Sequence, residues 1–154
     1  MSIKLDFYDK IVCNTVGKTF ALAAKEMSCY ETSFCKAWLK SDVCSLISTR
    51  EETVICQSST YYLNSLKNEI EPFSHTGYKM DEEVMYWMGY TLTYWMYMAG
   101  ITGKEICERY NLAEILSQYD ILHTMSVTAA IKTIEKNYTT AKVLLDSILH
   151  QNKI

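Results

Sequence analysis

The sequence predicts a mainly α-helical protein of two small helical sub-domains, the first with a short β-arm in the manner of a winged helix. Three observations lead there. Only one proline and five glycines occur in 154 residues, so the turn punctuation of a barrel or sandwich is missing. Apolar residues recur at three- and four-residue spacing along most of the chain. One short β-branched run, Thr53-Val54-Ile55-Cys56, interrupts that rhythm and is the strand candidate. Hydrophobic residues make up 49% of the chain, enough for a packed core.

The elements follow in order. Asp9 to Met27 reads as a first helix, with Ile11, Val12, Val16, Phe20, Ala23 and Ala24 on one face. Ser28 and Glu31 have the spacing of a capping box for a second helix, in which Tyr30, Phe34 and Trp38 lie one turn apart. Ser41-Asp42 offers a cap before Val43, Leu46 and Ile47. After the strand candidate, Ser58-Ser59 caps a helix from Thr60 to about Glu71, with Tyr62, Leu63, Leu66 and Ile70 inward.

Residues 72–79 read as a connector, because Pro72-Phe73-Ser74-His75-Thr76-Gly77 holds the chain's only proline beside a glycine. The boundary divides a 1–71 sub-domain from an 80–154 sub-domain.

The second segment opens with Asp81 capping a helix to about Ala99. Met85, Met88, Leu92 and Met96 form one stripe on it; Tyr86, Tyr90, Tyr94 and Tyr97 form another. Gly100 ends it. Thr102 and Glu105 make a capping box for a short helix through Tyr110. Leu112 to about Leu122 reads as one further helix. Ser126 caps a long last helix whose apolar face runs through Ala130, Ile131, Ile134, Tyr138, Ala141, Leu144, Leu145 and Ile148.

Charge and cysteine usage narrow the function classes. The net charge is −3, and neither segment is basic: residues 1–71 carry eight Lys/Arg against nine Asp/Glu, residues 72–154 seven against nine. Nucleic acid is therefore a disfavoured partner. The start of the chain has no secretory h-region, which points to a cytoplasmic protein whose six cysteines are reduced and serve as small buried hydrophobes. Val84 to Ile101 is free of charge, but four tyrosines spread along it, so no membrane span is expected.

No chemistry-bearing constellation emerges. There is no C-x-x-C or H-x-x-x-H for a metal, no Gly-rich phosphate cradle, and no carboxylate pair in an apolar setting. Cys107 and His123 are the one pair a fold could unite for nucleophilic work, but Glu105 and Glu108 flank the cysteine and oppose a thiolate. The expectation is a binder, not an enzyme, with no catalytic residues, metal or cofactor. Its candidate partner-binding residues are the tyrosine stripe, Tyr86, Tyr90, Tyr94 and Tyr97, with Tyr119, Asp120 and His123. Tyrosine suits interfaces because it combines a large apolar area with a polar tip. The stripe is equally compatible with burial between sub-domains, and a self-interface in a homo-oligomer is a further reading of it. His123 also has a plainer role at a helix end, bonding free carbonyls.

A resemblance adds a class of partner. Gly100-Ile101-Thr102-Gly103-Lys104-Glu105, Tyr110-Asn111-Leu112 and Tyr119-Asp120-Ile121-Leu122-His123-Thr124 resemble a family of short bacterial proteins with a "YDxLHT" pattern. Ala37-Trp38, Ser41-Asp42-Val43, Leu46 and Ser58-Ser59-Thr60-Tyr61-Tyr62-Leu63 are similar to a second small family. Both tend to be encoded beside an ADP-ribosyltransferase-like toxin. The resemblance implies an antitoxin or immunity role, with both modules fused in one chain; Met125 departs from the usual polar residue or glycine after the motif. A DNA-binding regulator of its own operon is the alternative, resting on the winged-helix reading of the first segment.

Overall fold

Two glycines set the central contact of the fold. A Cβ on Gly17 would lie 2.8 Å from the Tyr86 ring, and one on Gly89 would lie 2.8 Å from both the Val16 carbonyl oxygen and the Phe20 ring. Their absence of side chains lets helix α1 (Phe7–Glu26) and helix α6 (Glu82–Ala99) pack backbone to backbone, and this is the most extensive helix pair in the protein. The computed structural model describes residues 4–70 and 76–152.

Among the described residues there are eight further helices: α2 (Glu31–Lys40), α3 (Asp42–Ser48), α4 (Glu52–Ile55), α5 (Ser59–Glu69), α7 (Gly103–Arg109), α8 (Leu112–Ser117), α9 (Tyr119–Leu122) and α10 (Val127–Gln151). The protein is mainly α. The strand expected at Thr53–Cys56 is instead helix α4 and the turn after it, and no strand occurs among the described residues. The β-branched run failed as a strand signal because it has no partner strand to pair with. Val54 turns into the core, and its carbonyl accepts a 2.7 Å hydrogen bond from the buried Tyr62 hydroxyl. The winged-helix reading loses its wing with this arm.

Local capping explains most helix starts. Asp6 and Asp9 form a reciprocal capping box on α1. Ser41, Ser58, Asp81, Thr102, Asn111 and Ser126 each accept a bond from a free backbone N–H in the first turn of the helix they precede. Ser28 does not cap α2; Tyr30 occupies the N-cap position and makes no side-chain bond there. The helix expected over Leu112–Leu122 is split at Gln118 into α8 and α9. Gly100 closes α6 in the left-handed region, at φ +64°.

One hydrophobic cluster draws on both sequence segments. Phe20 packs edge-on against Phe34 and Trp38, at 4.9 and 5.5 Å between ring centroids, and Trp38 meets Tyr62. On the other flank Trp95 meets Tyr110, which meets Tyr138 of α10 at 4.8 Å. Of the expected connector, Pro72 to His75 lie outside the described residues. Thr76 to Lys79 return against the α1–α2 turn, where the Tyr78 ring packs on Tyr30 and its hydroxyl donates to Glu31 at 2.9 Å.

Among the described residues no helix is long and apolar enough to cross a membrane. The thiols of Cys13, Cys29, Cys35 and Cys44 are buried and unbridged. Burial pushes Cys13 and Cys44 up to about 12.

Candidate functional site

The sequence places Tyr86, Tyr90, Tyr94 and Tyr97 on one helix, but their surroundings differ. Tyr97 belongs to the core. It is 3% exposed, and its hydroxyl donates to the Ile47 carbonyl at 2.7 Å. Its register departs from the other three by one residue, since 86, 90 and 94 are four apart and 97 follows after three. That offset turns it toward α3.

Tyr86, Tyr90 and Tyr94 are half-buried and form a ladder, with successive ring centroids 6.2 and 6.3 Å apart. The ladder is pinned at both ends. The Tyr86 hydroxyl donates to Asn14 of α1, and the Tyr94 hydroxyl is 3.2 Å from that of Thr128 on α10.

Tyr86 also lines a shallow concavity of about 430 Å³ with Ala21, Glu82, Glu83, Trp87, Tyr119 and His123. Helix α6 supplies the first wall, α1 contributes Ala21, and the α8–α10 connection supplies Tyr119 and His123. Trp87 and Tyr119 meet edge to face at 5.5 Å, and the His123 ring stacks on Tyr119 at 4.4 Å with 13° between planes. Three of the seven sequence candidates therefore come together here: Tyr86, Tyr119 and His123. Asp120 is exposed on the same short helix as Tyr119.

His123 Nδ1 lies 2.7 Å from the Tyr119 carbonyl oxygen. A carbonyl can only accept, so Nδ1 carries the proton, and Nε2 is the acceptor when the ring is neutral. The helix-end role and the surface role thus fall to the two different nitrogens. The carbonyl bond fixes the ring, and the fixed ring extends the aromatic wall.

The rim is acidic. The Tyr119 hydroxyl is held above the ordinary phenol range, first by partial burial and then by the charges of Glu83, Asp81 and Asp120. Glu82 lies 3.8 Å from Lys25, whereas Glu83 and Asp120 have no ion-pair partner among the described residues. An aromatic floor under uncompensated carboxylates attracts a cationic group by both cation–π and Coulomb terms. Sequence reasoning missed Trp87 and Glu83. They lie four apart on α6, on a face adjacent to the tyrosine stripe, and a tryptophan out of register with a stripe carries no pattern of its own.

Elsewhere the described residues assemble no group of three His, Cys, Asp or Glu side chains suited to a metal ion. The Cys107 thiol is raised by burial, with Lys40 and Lys36 opposing weakly, which is the reverse of what a nucleophile needs. Comparison with family models, curated proteins and solved structures finds no match for this chain.

Proposed function

We propose that this chain is a protein-binding antitoxin or immunity-type protein that neutralises a partner toxin by direct contact. The observation that carries binding is the concavity of Tyr86, Trp87, Tyr119 and His123, lined also by Glu82 and Glu83, with the charge of Asp120 felt at Tyr119. Aromatic side chains held rigid by one another lose little entropy on contact, and tyrosine and tryptophan are enriched among residues that dominate binding energy. The acidic rim selects a partner that presents a lysine or arginine. The class of partner, an ADP-ribosyltransferase-like enzyme encoded nearby, comes from the resemblance around Tyr119–Thr124 and from nothing in the geometry.

The test is co-expression with the product of the adjacent gene. The expected result is rescue of growth and a complex that co-purifies and weakens with rising salt. A neighbour that is harmless alone and forms no complex would overturn the toxin reading. A complex that forms with Tyr119 and Trp87 both replaced by alanine would overturn the site.

A further inference from the structure

We infer that the distal half of α10 is a self-association surface, on which a second copy of this chain packs its own α10 in antiparallel orientation. The apolar seam of α10 alternates spacings of three and four. Ile131, Ile134 and Tyr138 continue at Ala141, Leu145 and Ile148 without a break. The first two are buried in the core, yet every residue from 139 to 151 is exposed. One periodic seam is thus used by the fold for half its length and left bare for the rest.

The bare part is broad. Leu144, Leu145, Ile148 and Leu149 are each more than half exposed, and they span one face of the helix around the seam. A continuous patch of large aliphatic side chains on one helix face marks an association site. A helical stretch of this length that packs against nothing is marginal in water, so a covering partner also holds it helical.

Charge identifies the partner as a second copy. The chain as a whole is at −3, so two copies carry a net repulsion that a contact between them must avoid. From residue 139 to 152 the only residues with fixed charge are Lys142 and Asp146, which cancel. They lie one turn apart on the same flank of the seam. An antiparallel copy reverses that order, so each residue comes within reach of its opposite. The contact is isologous, as a two-fold axis requires, and doubles the four aliphatic side chains to eight. It is independent of the concavity and of the toxin reading.

Sedimentation velocity of the full chain over a concentration series tests the inference. The expected result is a monomer–dimer equilibrium. L145E/I148E, at exposed positions, should abolish it while a cooperative melting transition of the core persists, and any loss of far-ultraviolet helix signal should be confined to the share that the distal turns of α10 contribute. K142D and D146K alone should each weaken the dimer roughly tenfold, and mixing the two single variants should restore pairing between them. Monomers at every concentration, including the case in which this face serves only another protein, would overturn the inference. So would a dimer that survives L145E/I148E, or one indifferent to the charge changes.

Discussion

The guanidinium of Arg50 lies 4.1 Å from the centroid of the Tyr97 ring. Its Nε and Nη2 also donate to the two carboxylate oxygens of Asp9, at 2.9 and 3.2 Å. Arg50 has a positive φ of 57°, the one non-glycine residue described in that region. A side chain that clamps α1 to α6 is thus carried on a backbone conformation that costs about 1 kcal/mol for an L-residue. Arg50→Ala loses the clamp and keeps the backbone cost, so it should destabilise by about 1 kcal/mol after allowing for solvent screening. Arg50→Gly loses the same contacts but relieves the backbone, and should be nearly neutral. Urea unfolding of the two variants measures the difference; equal losses would show that the backbone carries no strain.

Asp9 gives the clamp a pH dependence. Burial acts to raise its pKa, but the hydrogen bonds from Arg50 and from the Asp6 backbone, with the charge of Arg50, outweigh it and leave the carboxyl below its ordinary value of 3.8. A depressed folded pKa adds stability above the unfolded value and loses it as pH falls through the folded one. The stability gap between the native chain and Asp9→Asn should therefore be flat from about pH 5 upward and close below about pH 4. Denaturant midpoints across that range check the sign. A gap that widens on acidification would contradict it.

The N-terminus of α3 shows what could and could not be read in advance. Ser41 was legible as its cap, because a hydroxyl followed by a helical apolar pattern is a local signal. Yet the N–H groups of Asp42 and Val43 bond to the Glu69 carboxylate, at 2.6 and 3.0 Å, from a residue 27 positions away on α5. No local pattern announces that partner. The same limit explains the site. Helix positions and the ladder of Tyr86, Tyr90 and Tyr94 followed from periodicity, while the junction of Trp87 with Tyr119 depended on how α9 packs across α6. Thr53–Cys56 misled because β-branching records a preference for extended backbone that only a neighbouring strand can realise. The bare end of α10 was equally hidden, since an apolar seam reads the same whether or not the chain covers it.

Glu69 should therefore behave as a cap in spite of its distance. Glu69→Ala leaves two N–H groups at the start of α3 without their carboxylate and should cost about 1–2 kcal/mol. Glu69→Gln keeps one acceptor oxygen but removes the charge, and should lose less. Chemical denaturation gives both values. Equal stability of all three proteins would mean that water replaces the carboxylate at no cost.

The two glycines of the α1–α6 crossing should respond differently to alanine. At Gly89 the obstructing atoms are the Val16 carbonyl oxygen and the base of the Phe20 ring, neither of which can swing aside. Overpacking of this kind costs about 1–3 kcal/mol, and the better helix propensity of alanine returns about 1 kcal/mol. Gly89→Ala should be destabilising on balance and visible as a lower melting temperature. At Gly17 the nearest atoms belong to the half-buried Tyr86 ring, with the Tyr86 carbonyl slightly farther, at 3.0 Å. Gly17→Ala should displace that ring and alter the concavity, reducing partner binding more than stability.

The concavity itself should separate binding from folding. Tyr119 is only half-buried, and Asp120 is exposed with no ion-pair partner among the described residues, so neither holds the core together. Tyr119→Ala removes the ring on which both Trp87 and His123 rest and should cost about 2 kcal/mol of affinity, the scale of a binding hot spot. Asp120→Lys reverses the charge at the rim. It should slow association with a basic partner, and the loss should shrink as salt is added, because screening weakens the steering that the native carboxylate supplies. Calorimetric titration of the co-purifying partner measures the first effect, and stopped-flow association at low and at high salt measures the second. If Asp120→Lys binds as fast as the native chain at low salt, the rim does not select a cation and the partner is held by the aromatic surface alone.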